Sequence, residues 1–484
     1  MPALILKKRS RVSCVPSRWL SISIPPGSSL TPTLLKPAGT IRIKKTKEPP
    51  FVGNMKVTRP NQSRSFGLLH ITEEIQVLDS QCGLNGTGVV ENGSGKEEAV
   101  YFSNETLEEV LAQTVIVVPC KDETLEVIRG VVSKIPAPCL VILVSNSERG
   151  VDDDQYLQQV EMLKTFGASS GQQILAIHQK DPRAARAFQA SGMTELLDSK
   201  DGTIRNGKGE GMLLGIAVAS AFRDTHRYIG FVDADNFDGD SANEYCKAFA
   251  AGFAMCPSPD VEHSMVRLRW ASKPKLREDG HYEFVTEGRC SRIVNSWLNK
   301  LFTPTESNSF VSTGNAGEHA LTIDLALKLR MAAGYAIEPY HFIDLLERGH
   351  LAVNRNGVSA QLLDKPVRIL QIRTRSPHYH QSGGPEHIRK MWAAGLGAIY
   401  HNLAQYETIP GSASGGISQL RQDIHKFAAE NGGIQHPTGE LPRPRIYPAL
   451  GDANMAKFRD VMEAGSVPTT LAVVGLGAKG QFGV

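Results

Sequence analysis

The chain has 484 residues, which is enough for a large core and two or three domains. Its 41% apolar and 21% charged residues are ordinary for a globular protein and argue against global disorder. The net charge of +3 is unevenly placed, because residues 1–54 hold ten Lys or Arg and one acid, Glu48, so the remaining chain is mildly acidic. A nucleic-acid-binding body is normally basic on one face, so we exclude nucleic acid as the partner.

The cysteines and the hydropathy pattern bound the compartment. Seven scattered cysteines with no C-x-x-C pair argue against a disulfide framework or a cysteine zinc site, and they favour a reducing, cytoplasmic compartment. No stretch approaches the ~20 apolar residues that span a bilayer, and the longest candidate, residues 211–222, predicts a core helix. Residues 1–54 are basic and rich in Ser and Pro, which predicts a disordered extension, with a mitochondrial transit peptide as a minor alternative.

The pattern of an ordered domain begins after this extension. Residues 55–113 form a first segment, in which residues 83–96 (GLNGTGVVENGSGK) predict a flexible insert. From 114 to 270, short β-branched runs alternate with helical patterns, which predicts a doubly wound α/β domain. Runs that are apolar on both faces are typical of strands buried in a mostly parallel sheet. The four runs are 115–119, 140–144, 174–177 and 228–232, and the helical patterns are 123–134, 155–166, 182–190 and 211–223.

The rhythm loosens after residue 270. Residues 271–410 predict a mixed α+β region with helices near 291–301, 318–333 and 387–404, and residues 411–484 predict a tail of turns and helices. In a doubly wound sheet, the ligand crevice lies beyond the carboxyl ends of the strands. The polar residues that directly follow each predicted strand are therefore the candidates for a site.

The sharpest candidate is the pair Asp233 and Asp235, which follows the fourth apolar run. Side chains at i and i+2 of an extended chain share a face, and a turn at the strand end lets both approach one ion. Oxygen ligands suit Mg²⁺ or Mn²⁺, which keep waters and also bind substrate phosphates. The pair predicts a metal–diphosphate site, and the alternative is a solvated turn held by Asx hydrogen bonds.

A glycine-rich, basic loop at residues 201–211 is the second candidate. Gly202, Gly207 and Lys208 match the spacing of a P-loop, but Gly209 stands where Ser or Thr is needed and no apolar strand leads into the loop. A nucleoside triphosphatase is therefore disfavoured. Backbone N–H groups at a helix start, with Arg205 or Lys208, are suited to a phosphate, and the alternative is a mobile surface loop.

Polar residues also follow the first three runs, and two later segments combine small or basic residues. Each of the three strand ends is a weak signal, because polar caps follow most strands and Lys121 or Lys180 can simply be solvated. Together the three strand ends predict a nucleoside and ribose site. Residues 311–319 place small residues before a predicted helix and offer backbone donors to an anion. His378 and His380 could give one imidazole to the metal, the alternative being surface histidines.

Ten segments of the chain carry a family likeness: VVPCKDE (117–123), VSNS (144–147), IHQKDP (177–182), IRNGKGEGM (204–212), YIGFVDADN (228–236), AAGFAM (250–255), MVRLRW (265–270), TGNAGEHA (313–320), GYAIEPY (334–340) and SPHYH (376–380). In this order they resemble the mannosyl-3-phosphoglycerate synthase family, and the resemblance runs from near residue 66 to about residue 410. Residues 1–54 and 83–96 have no counterpart in the family pattern.

The resemblance implies a GT-A-like fold with a Rossmann-like nucleotide-sugar domain and an acceptor-side region. It implies retaining transfer of mannose from GDP-mannose to the 2-hydroxyl of 3-phosphoglycerate in mannosylglycerate biosynthesis, with Mg²⁺ or Mn²⁺ as the cofactor, no membrane partner and a possible homodimer. Asp233 and Asp235 are the implied catalytic metal ligands, with Asp235 the more direct, completed by His378 or His380. The implied donor residues are Pro119, Lys121, Glu123, Ser145, Gln179, Lys180, Asp181, Lys208 and Gly209, and the implied acceptor residues are Arg289, Thr313, Gly314, Asn315 and Ala316.

Three alternatives stay open from the residues. A glucosyl-3-phosphoglycerate synthase differs in pocket contacts that the sequence does not reveal. A sugar-phosphate nucleotidylyltransferase usually has a Gly-rich basic loop after its first strand, whereas this chain has PCKDE (119–123) there. A non-catalytic regulator that binds nucleotide sugars is the alternative from a different class. The chain also has Gln381 where the family often has an acid, so no role is given to that position.

Overall fold

The computed structural model describes residues 52–82, 99–150, 153–236, 239–276, 281–302, 310–351, 363–379, 384–404, 416–434 and 439–474. These residues belong to one unit of the chain, Pro50–Val484. Residues 1–51, the insert predicted at 83–96 and His380 lie outside the described residues, so the predictions made for them stay predictions.

The secondary structure alternates strands and helices through most of these ranges. The strands are β1 (Asn54–Thr58), β2 (Ser63–Phe66), β3 (Leu69–Cys82), β4 (Ala99–Phe102), β5 (Thr114–Cys120), β6 (Leu140–Ser145), β7 (Ile174–His178), β8 (Tyr228–Phe231), β9 (His263–Arg269), β10 (Lys273–Leu276), β11 (Tyr282–Val285), β12 (His319–Thr322), β13 (Met331–Ala332), β14 (Val367–Arg373), β15 (Ile446–Tyr447) and β16 (Ala472–Val474). The helices are α1 (Asn104–Leu111), α2 (Leu125–Lys134), α3 (Gln155–Ser170), α4 (Pro182–Ser191), α5 (Lys208–Ala219), α6 (Asp240–Ala254), α7 (Arg289–Phe302), α8 (Ile323–Lys328), α9 (Ile337–Leu346), α10 (Pro385–Asn402), α11 (Gly416–Glu430) and α12 (Met455–Glu463).

A twelve-stranded sheet organises the described residues, in the order β16-β7-β6-β5-β8-β12-β9-β14-β3-β1-β4, with β2 beside β3. The pairings show that β3 to β9 and β14 run in one direction, whereas β1, β2, β12 and β16 run in the other. The predicted mostly parallel α/β sheet is therefore confirmed. Its strands come from three of the predicted segments, 55–113, 114–270 and 271–410, and β16 adds a strand from the tail.

The four apolar runs are central strands with a core on each face. Val115 and Val117 of β5 pack in one cluster with residues of α5, whereas Ile116 and Val118 pack in a second cluster with residues of α2 and α6. Successive side chains of a strand point to opposite faces, so a strand covered by helices on both sides must be apolar throughout. The prediction of a doubly wound sheet is confirmed by this packing.

One predicted helix is wrong at its start. Residues 318–333 were expected to be helical, but 319–322 form β12, and the helix α8 begins only at Ile323. The predicted end is also wrong, because α8 ends at Lys328 and 331–332 form β13. β12 lies between β8 and β9 and pairs with both in antiparallel register. Two neighbouring strands therefore override a local pattern that is too short to separate a buried strand from a buried helix.

The topology collects several chain segments at one edge of the sheet. The carboxyl ends of β5 to β9 and β14 lie there, and so does the start of β12, because β12 runs the opposite way. From β5 the chain proceeds outward through β6 to β7, whereas β8 lies on the other side of β5. The winding therefore reverses between the paired strands β5 and β8. In such sheets, ligands bind in the crevice beyond the strand ends at this point.

None of the described helices combines the length and the apolar character that a bilayer crossing requires.

Candidate active site

A cleft of about 650 Å³ opens at this edge of the sheet. One wall comes from the segments that follow β5 to β8, and the other comes from the starts of α7 and α10 and from residues 334–338. The predicted site residues that line this cleft are Pro119, Lys121, Glu123, Gln179, Lys208, Asp233, Asp235, Arg289, Asn315 and His378.

Lys208 lies at the centre of the cleft, at the first position of α5. Its Nζ is 2.8 Å from Asp233 Oδ2 and 2.9 Å from Glu338 Oε1. Burial opposes the charge on the lysine, but the two carboxylates outweigh that effect and hold the pKa of Lys208 well above its ordinary value. Lys208 is therefore a cation held between two acids in the lining of the cleft.

Two glycines allow this close arrangement. Gly207, the residue before α5, has a φ of 152°, a backbone conformation that side chains disfavour. Gly317 lies so close to Asp233 Oδ2 and Lys208 Nζ that a Cβ there would collide with the carboxylate. The glycines of the two predicted anion loops are thus needed for the approach of backbone to charged side chains.

Asp235 points to a different neighbour from Asp233. Its Oδ1 is 3.7 Å from Nε2 of His378, whose ring stacks on Trp270 at a centroid distance of 4.7 Å. The other ring nitrogen, Nδ1, is 3.5 Å from the hydroxyl of Tyr245 and 3.6 Å from Oε1 of the fully buried Glu318. Nδ1 of His378 therefore faces the buried Glu318 and the Tyr245 hydroxyl, and Nε2 faces Asp235.

The donor set suits a divalent cation. Within the described residues, no group of three His, Cys, Asp or Glu side chains converges as a ready-made metal site. Asp235 and His378 nevertheless offer an oxygen and a nitrogen 3.7 Å apart, and the Asp235 side chain is 42% exposed to the cleft. Mg²⁺ and Mn²⁺ complete their octahedra with waters and substrate phosphates, at bonds of ~2.1 Å for Mg²⁺. The residues therefore fit a metal that is completed by a diphosphate.

The loop after β5 brings a third carboxyl to the cleft. Asp122 has a φ of 65°, an uncommon left-handed conformation for which Asp is among the better residues. Its amide donates to Ser147 Oγ at 3.0 Å, which ties this loop to the one after β6. Glu123 accepts a hydrogen bond from the amide of Lys121. Burial, helped by the nearby carboxylates of Asp235 and Asp233, raises the pKa of Glu123 to about 7.

Two predicted donor residues are engaged away from the cleft. Ser145 is fully buried, and its hydroxyl accepts a hydrogen bond from the amide of Ser147 at 3.3 Å. Lys180 donates from Nζ to Thr203 Oγ1 at 3.0 Å and to the carbonyl of Ile204 at 2.6 Å. Both residues hold neighbouring loops in place, and neither lines the cleft.

Asp181 and Gly209 also have structural surroundings. Asp181 is fully buried and caps α4 by accepting from the amide of Ala184 at 2.6 Å. The same carboxylate accepts from the hydroxyls of Thr469 at 2.9 Å and Thr470 at 2.7 Å, and from the amide of Thr470. Gly209 packs α5 against β13, where a Cβ would meet the carbonyl of residue 332. Neither residue lines the cleft.

The predicted acceptor loop divides in the same way. Thr313 donates from its hydroxyl to Gln371 Oε1 at 2.9 Å, and the amide of Gly314 donates to Asn295 Oδ1 at 2.7 Å. Ala316 is buried, and with Thr313 it lines a small cavity of about 20 Å³ that shares Trp270, Gly288, Ser291 and Asn315 with the cleft. Asn315 faces the cleft, and its buried Oδ1 has no hydrogen-bond partner among the described residues.

Several cleft residues carried no role in the sequence-based prediction. Trp270 and Glu338 line the cleft, and Glu318 is buried beside Nδ1 of His378. All three belong to segments that carry the family resemblance, so the signal was present, but nothing in the pattern placed them beside Lys208 or His378. Tyr335 and His387 form a ring pair at 5.5 Å in the wall opposite the sheet. Apart from Trp270, the residues of this paragraph come from the loosely patterned region after 270. In that region, contacts between distant segments determine which side chains face the cleft.

Comparison with known families gives the class of enzyme: the chain is an α/β glycosyltransferase. A family model described as mannosyl-3-phosphoglycerate synthase matches residues 59–462. The chain belongs to the mannosyl-3-phosphoglycerate synthase family, which confirms the resemblance found in the sequence.

Two relatives and two solved structures are similar to this chain. Mannosyl-3-phosphoglycerate synthase of Pyrococcus furiosus is 41% identical over 364 residues, 75% of this chain and 87% of the relative. The synthase of Aeropyrum pernix is 32% identical over 358 residues, 73% of this chain and 87% of the relative. The crystal structure of mannosyl-3-phosphoglycerate synthase from Rubrobacter xylanophilus has 16% identity and a TM-score of 0.41, covering 72% of this chain and 92% of that one. Glucosyl-3-phosphoglycerate synthase from Mycobacterium tuberculosis, crystallised with Mn²⁺, UDP and glucosyl-3-phosphoglycerate, has 17% identity and a TM-score of 0.38, covering 61% and 82%.

Proposed function

We propose that this chain transfers mannose from GDP-mannose to the 2-hydroxyl of 3-phosphoglycerate, with a divalent metal and with retention of configuration. The observation that carries the proposal is the arrangement of Lys208, Asp233 and Asp235 at the point where the sheet reverses its winding. A cation and exposed carboxylate oxygen at that point suit a metal-bound diphosphate. The family membership supports the same reaction.

The donor lies along the wall formed by the strand ends. Pro119, Lys121, Glu123 and Gln179 line this wall and would surround the nucleoside and ribose. Gln179 also donates from Nε2 to the carbonyls of Arg205 at 2.6 Å and Gly207 at 3.2 Å, so it orders the loop that presents Lys208. Lys208 then exchanges a carboxylate for the diphosphate, a charge-assisted contact.

Asp235 and His378 would hold the metal, with Asp233 beside them. Of the two candidate histidines, we propose His378, because its Nε2 faces Asp235. When bound, Mg²⁺ or Mn²⁺ supplies Lewis-acid stabilisation of the negative charge on the departing nucleotide.

The acceptor occupies the opposite wall. 3-Phosphoglycerate carries a phosphate and a carboxylate, and Arg289 is an exposed cation at the start of α7 that lines the cleft. The N–H groups of a helix start add to the attraction for an anion. Asn315 lines the same space, and its Oδ1 has no hydrogen-bond partner among the described residues, which supports a contact with the 2-hydroxyl.

The proton of the acceptor hydroxyl would pass to the donor phosphate. In this front-face route the bond from the anomeric carbon to the phosphate breaks, the bond to the acceptor oxygen forms on the same face, and GDP leaves with the proton. Retaining hydrolases instead use a carboxylate nucleophile through an oxocarbenium-like transition state. Asp233 and Glu338 are both bound to Lys208, and Glu123 accepts from the amide of Lys121, which supports the route without a nucleophile. A mannosyl adduct trapped on any of these carboxylates would contradict it.

An assay of the purified full-length chain tests the proposed function. GDP-mannose, 3-phosphoglycerate and Mg²⁺ should give GDP and mannosyl-3-phosphoglycerate with an α-anomeric NMR signal, and EDTA should stop the reaction. GDP-glucose and glycerate are the matched controls for donor and acceptor. Preference for GDP-glucose would identify a glucosyl transferase, release of pyrophosphate would identify nucleotidylyl transfer, and nucleotide binding without any product would identify a regulator.

A further inference from the structure

Arg267 of β9 is a fully buried arginine, the largest fully buried side chain among the described residues. Taking a guanidinium out of water costs several kcal/mol unless its donors are satisfied in good geometry. The groups that accept hydrogen bonds from the guanidinium therefore indicate the role of this buried charge.

The guanidinium joins two segments of the cleft. Nε donates to the carbonyl of Thr313 at 3.0 Å, and Nη2 donates to the carbonyl of Glu338 at 3.1 Å. Nη1 lies 3.3 Å from Nδ1 of His341, and the guanidinium carbon is 4.8 Å from the ring centroid of Phe342. Thr313 belongs to the proposed acceptor loop, and Glu338 holds Lys208. One side chain thus fixes the acceptor wall against the helix that orients the central lysine.

The contacts of Arg267 leave its charge in place. Burial lowers the pKa of Arg267 to about 9, with the Glu338 carboxylate acting in the opposite direction, so the guanidinium is protonated at neutral pH. Burial, together with the charge of Arg267, holds the pKa of His341 well below its ordinary value. Neutral His341 accepts at Nδ1 and directs its Nε2 toward Met331 Sδ at 3.4 Å.

The atoms that Arg267 contacts are consequently uncharged: two carbonyl oxygens, an imidazole and the sulfur of Met265 at 3.7 Å. A positive charge whose direct contacts are uncharged acts over a longer range in a weakly polar interior, where the Glu338 carboxylate offsets part of it. It lies behind the wall that faces the phosphorylated acceptor and the diphosphate, both of which are anions.

We propose that Arg267 is a positioning residue for the transfer, which sets Asn315 and Lys208 through the Thr313 and Glu338 carbonyls and adds a buried positive charge behind the acceptor. This inference rests on the proposed function. It predicts that substitution of Arg267 weakens the binding of 3-phosphoglycerate in addition to lowering the stability of the fold. The reason is that the geometry and the electrostatic field at the acceptor wall both depend on the guanidinium.

The experiment compares Arg267 with a matched buried arginine. Arg183 is also buried and donates to two backbone carbonyls, those of Val467 at 2.7 Å and Met462 at 3.0 Å, but it does not line the cleft. The full-length variants R267K, R267M, R183K and R183M are compared by thermal unfolding, by KM and kcat for 3-phosphoglycerate, and by calorimetric binding of 3-phosphoglycerate.

We expect all four variants to lower Tm, but R267K and R267M alone to raise the KM for 3-phosphoglycerate, by about 10-fold and about 100-fold. The lysine retains the charge and loses the forked geometry, so it should rescue part of the affinity. R183K and R183M should keep KM within about twofold. A KM in both Arg267 variants that matches the Arg183 variants would overturn the inference.

Two further outcomes are distinguishable. If the Arg267 variants do not fold, H341L removes the partner of Nη1 while both carbonyl bonds stay available. We expect a threefold rise in KM for H341L, and an unchanged KM there would overturn the inference. A wild-type chain that neither turns over nor binds 3-phosphoglycerate would overturn the proposed function and this inference together, whereas an active wild type with unaffected Arg267 variants would overturn this inference alone.

Discussion

The ends of β7 and β8 follow the same pattern but have different surroundings. Each apolar strand leads into a short segment that contains a carboxylate, residues 179–181 after β7 and 233–236 after β8. After β7, Gln179 lines the cleft, whereas Lys180 and Asp181 bind neighbouring loops and the C-terminal segment. After β8, Asp233 and Asp235 line the cleft. A polar strand end therefore marks a candidate, and the neighbouring strands determine whether it meets a ligand.

The position in the sheet explains the difference. β8 pairs with β5 at the point where the winding reverses, so the loop after β8 faces the cleft. β7 is separated from that point by β6 and β5, and it has β16 on its other side. β16 pairs antiparallel with β7, and the preceding Thr469 and Thr470 cover the end of the strand. β16 also lies beyond residue 462, where the family model ends.

The largest expected effect is at the end of β8. Asp235→Ala and Asp233→Ala should each lower kcat/KM by at least ~10³-fold, about 4 kcal/mol of transition-state stabilisation, because each removes a carboxylate from the proposed metal site. Product formation per folded molecule is measured by the release of GDP. Asp224→Ala, in an exposed turn, is the control and should keep wild-type turnover. Full activity in both cleft variants would remove the metal assignment.

At the end of β7 the effect should fall on stability instead. Asp181→Ala loses a helix cap and the bonds to Thr469 and Thr470, so we expect a loss of about 2–4 kcal/mol in the free energy of unfolding. Urea unfolding measures that loss, and kcat per folded molecule should stay within about threefold of the wild type. A turnover as low as that of Asp235→Ala would instead make Asp181 a donor residue, and the two strand ends would then be alike.

A smaller effect is expected behind the metal site. Glu318 faces Nδ1 of His378, and a carboxylate in that position orients a metal-binding imidazole. Glu318→Gln should therefore weaken Mn²⁺ binding in the presence of GDP by ~10-fold, measured by electron paramagnetic resonance. Glu262→Gln is the matched control, because Glu262 is also buried but pairs with Arg368 away from the cleft. Equal Mn²⁺ affinity in the two variants would contradict this orienting role.

The smallest effect concerns the acid after β5. Burial raises the pKa of Glu123 to about 7 from an ordinary value of 4.5, so the folded chain holds this proton more tightly than the unfolded chain. Its contribution to stability is complete below pH 4.5 and is lost as the pH rises to about 7. In metal-free protein, Glu123→Gln should therefore raise Tm by roughly 1–3 °C at pH 8 and have little effect at pH 4.5.

The exposed Glu195 provides the comparison for that measurement. Glu195→Gln should leave the dependence of Tm on pH unchanged, since it removes an acid without a buried environment. If Tm depended on pH in the same way in Glu123→Gln and Glu195→Gln, the raised pKa of Glu123 at the end of β5 would be contradicted.

The central strands and their helices were predictable from the sequence for a simple reason. A strand that is buried on both faces must be apolar at every position, and Val115, Ile116, Val117 and Val118 satisfy that requirement without reference to any distant residue. The Asp233–Asp235 pair was predictable because it directly follows such a strand. The family was recognisable because its unusual segments occur in order along the chain.

The arrangement of side chains around the cleft depends on contacts between residues that are far apart in sequence. Lys208 meets Glu338 only because α5 and α9 both reach the same edge of the sheet, and His378 meets Glu318 only because β12 is antiparallel to its neighbours and β14 is parallel to β9. No local pattern encodes these distances. Burial sets the pattern along each segment, whereas the register between segments places a carboxylate in a ligand cleft or in a structural contact.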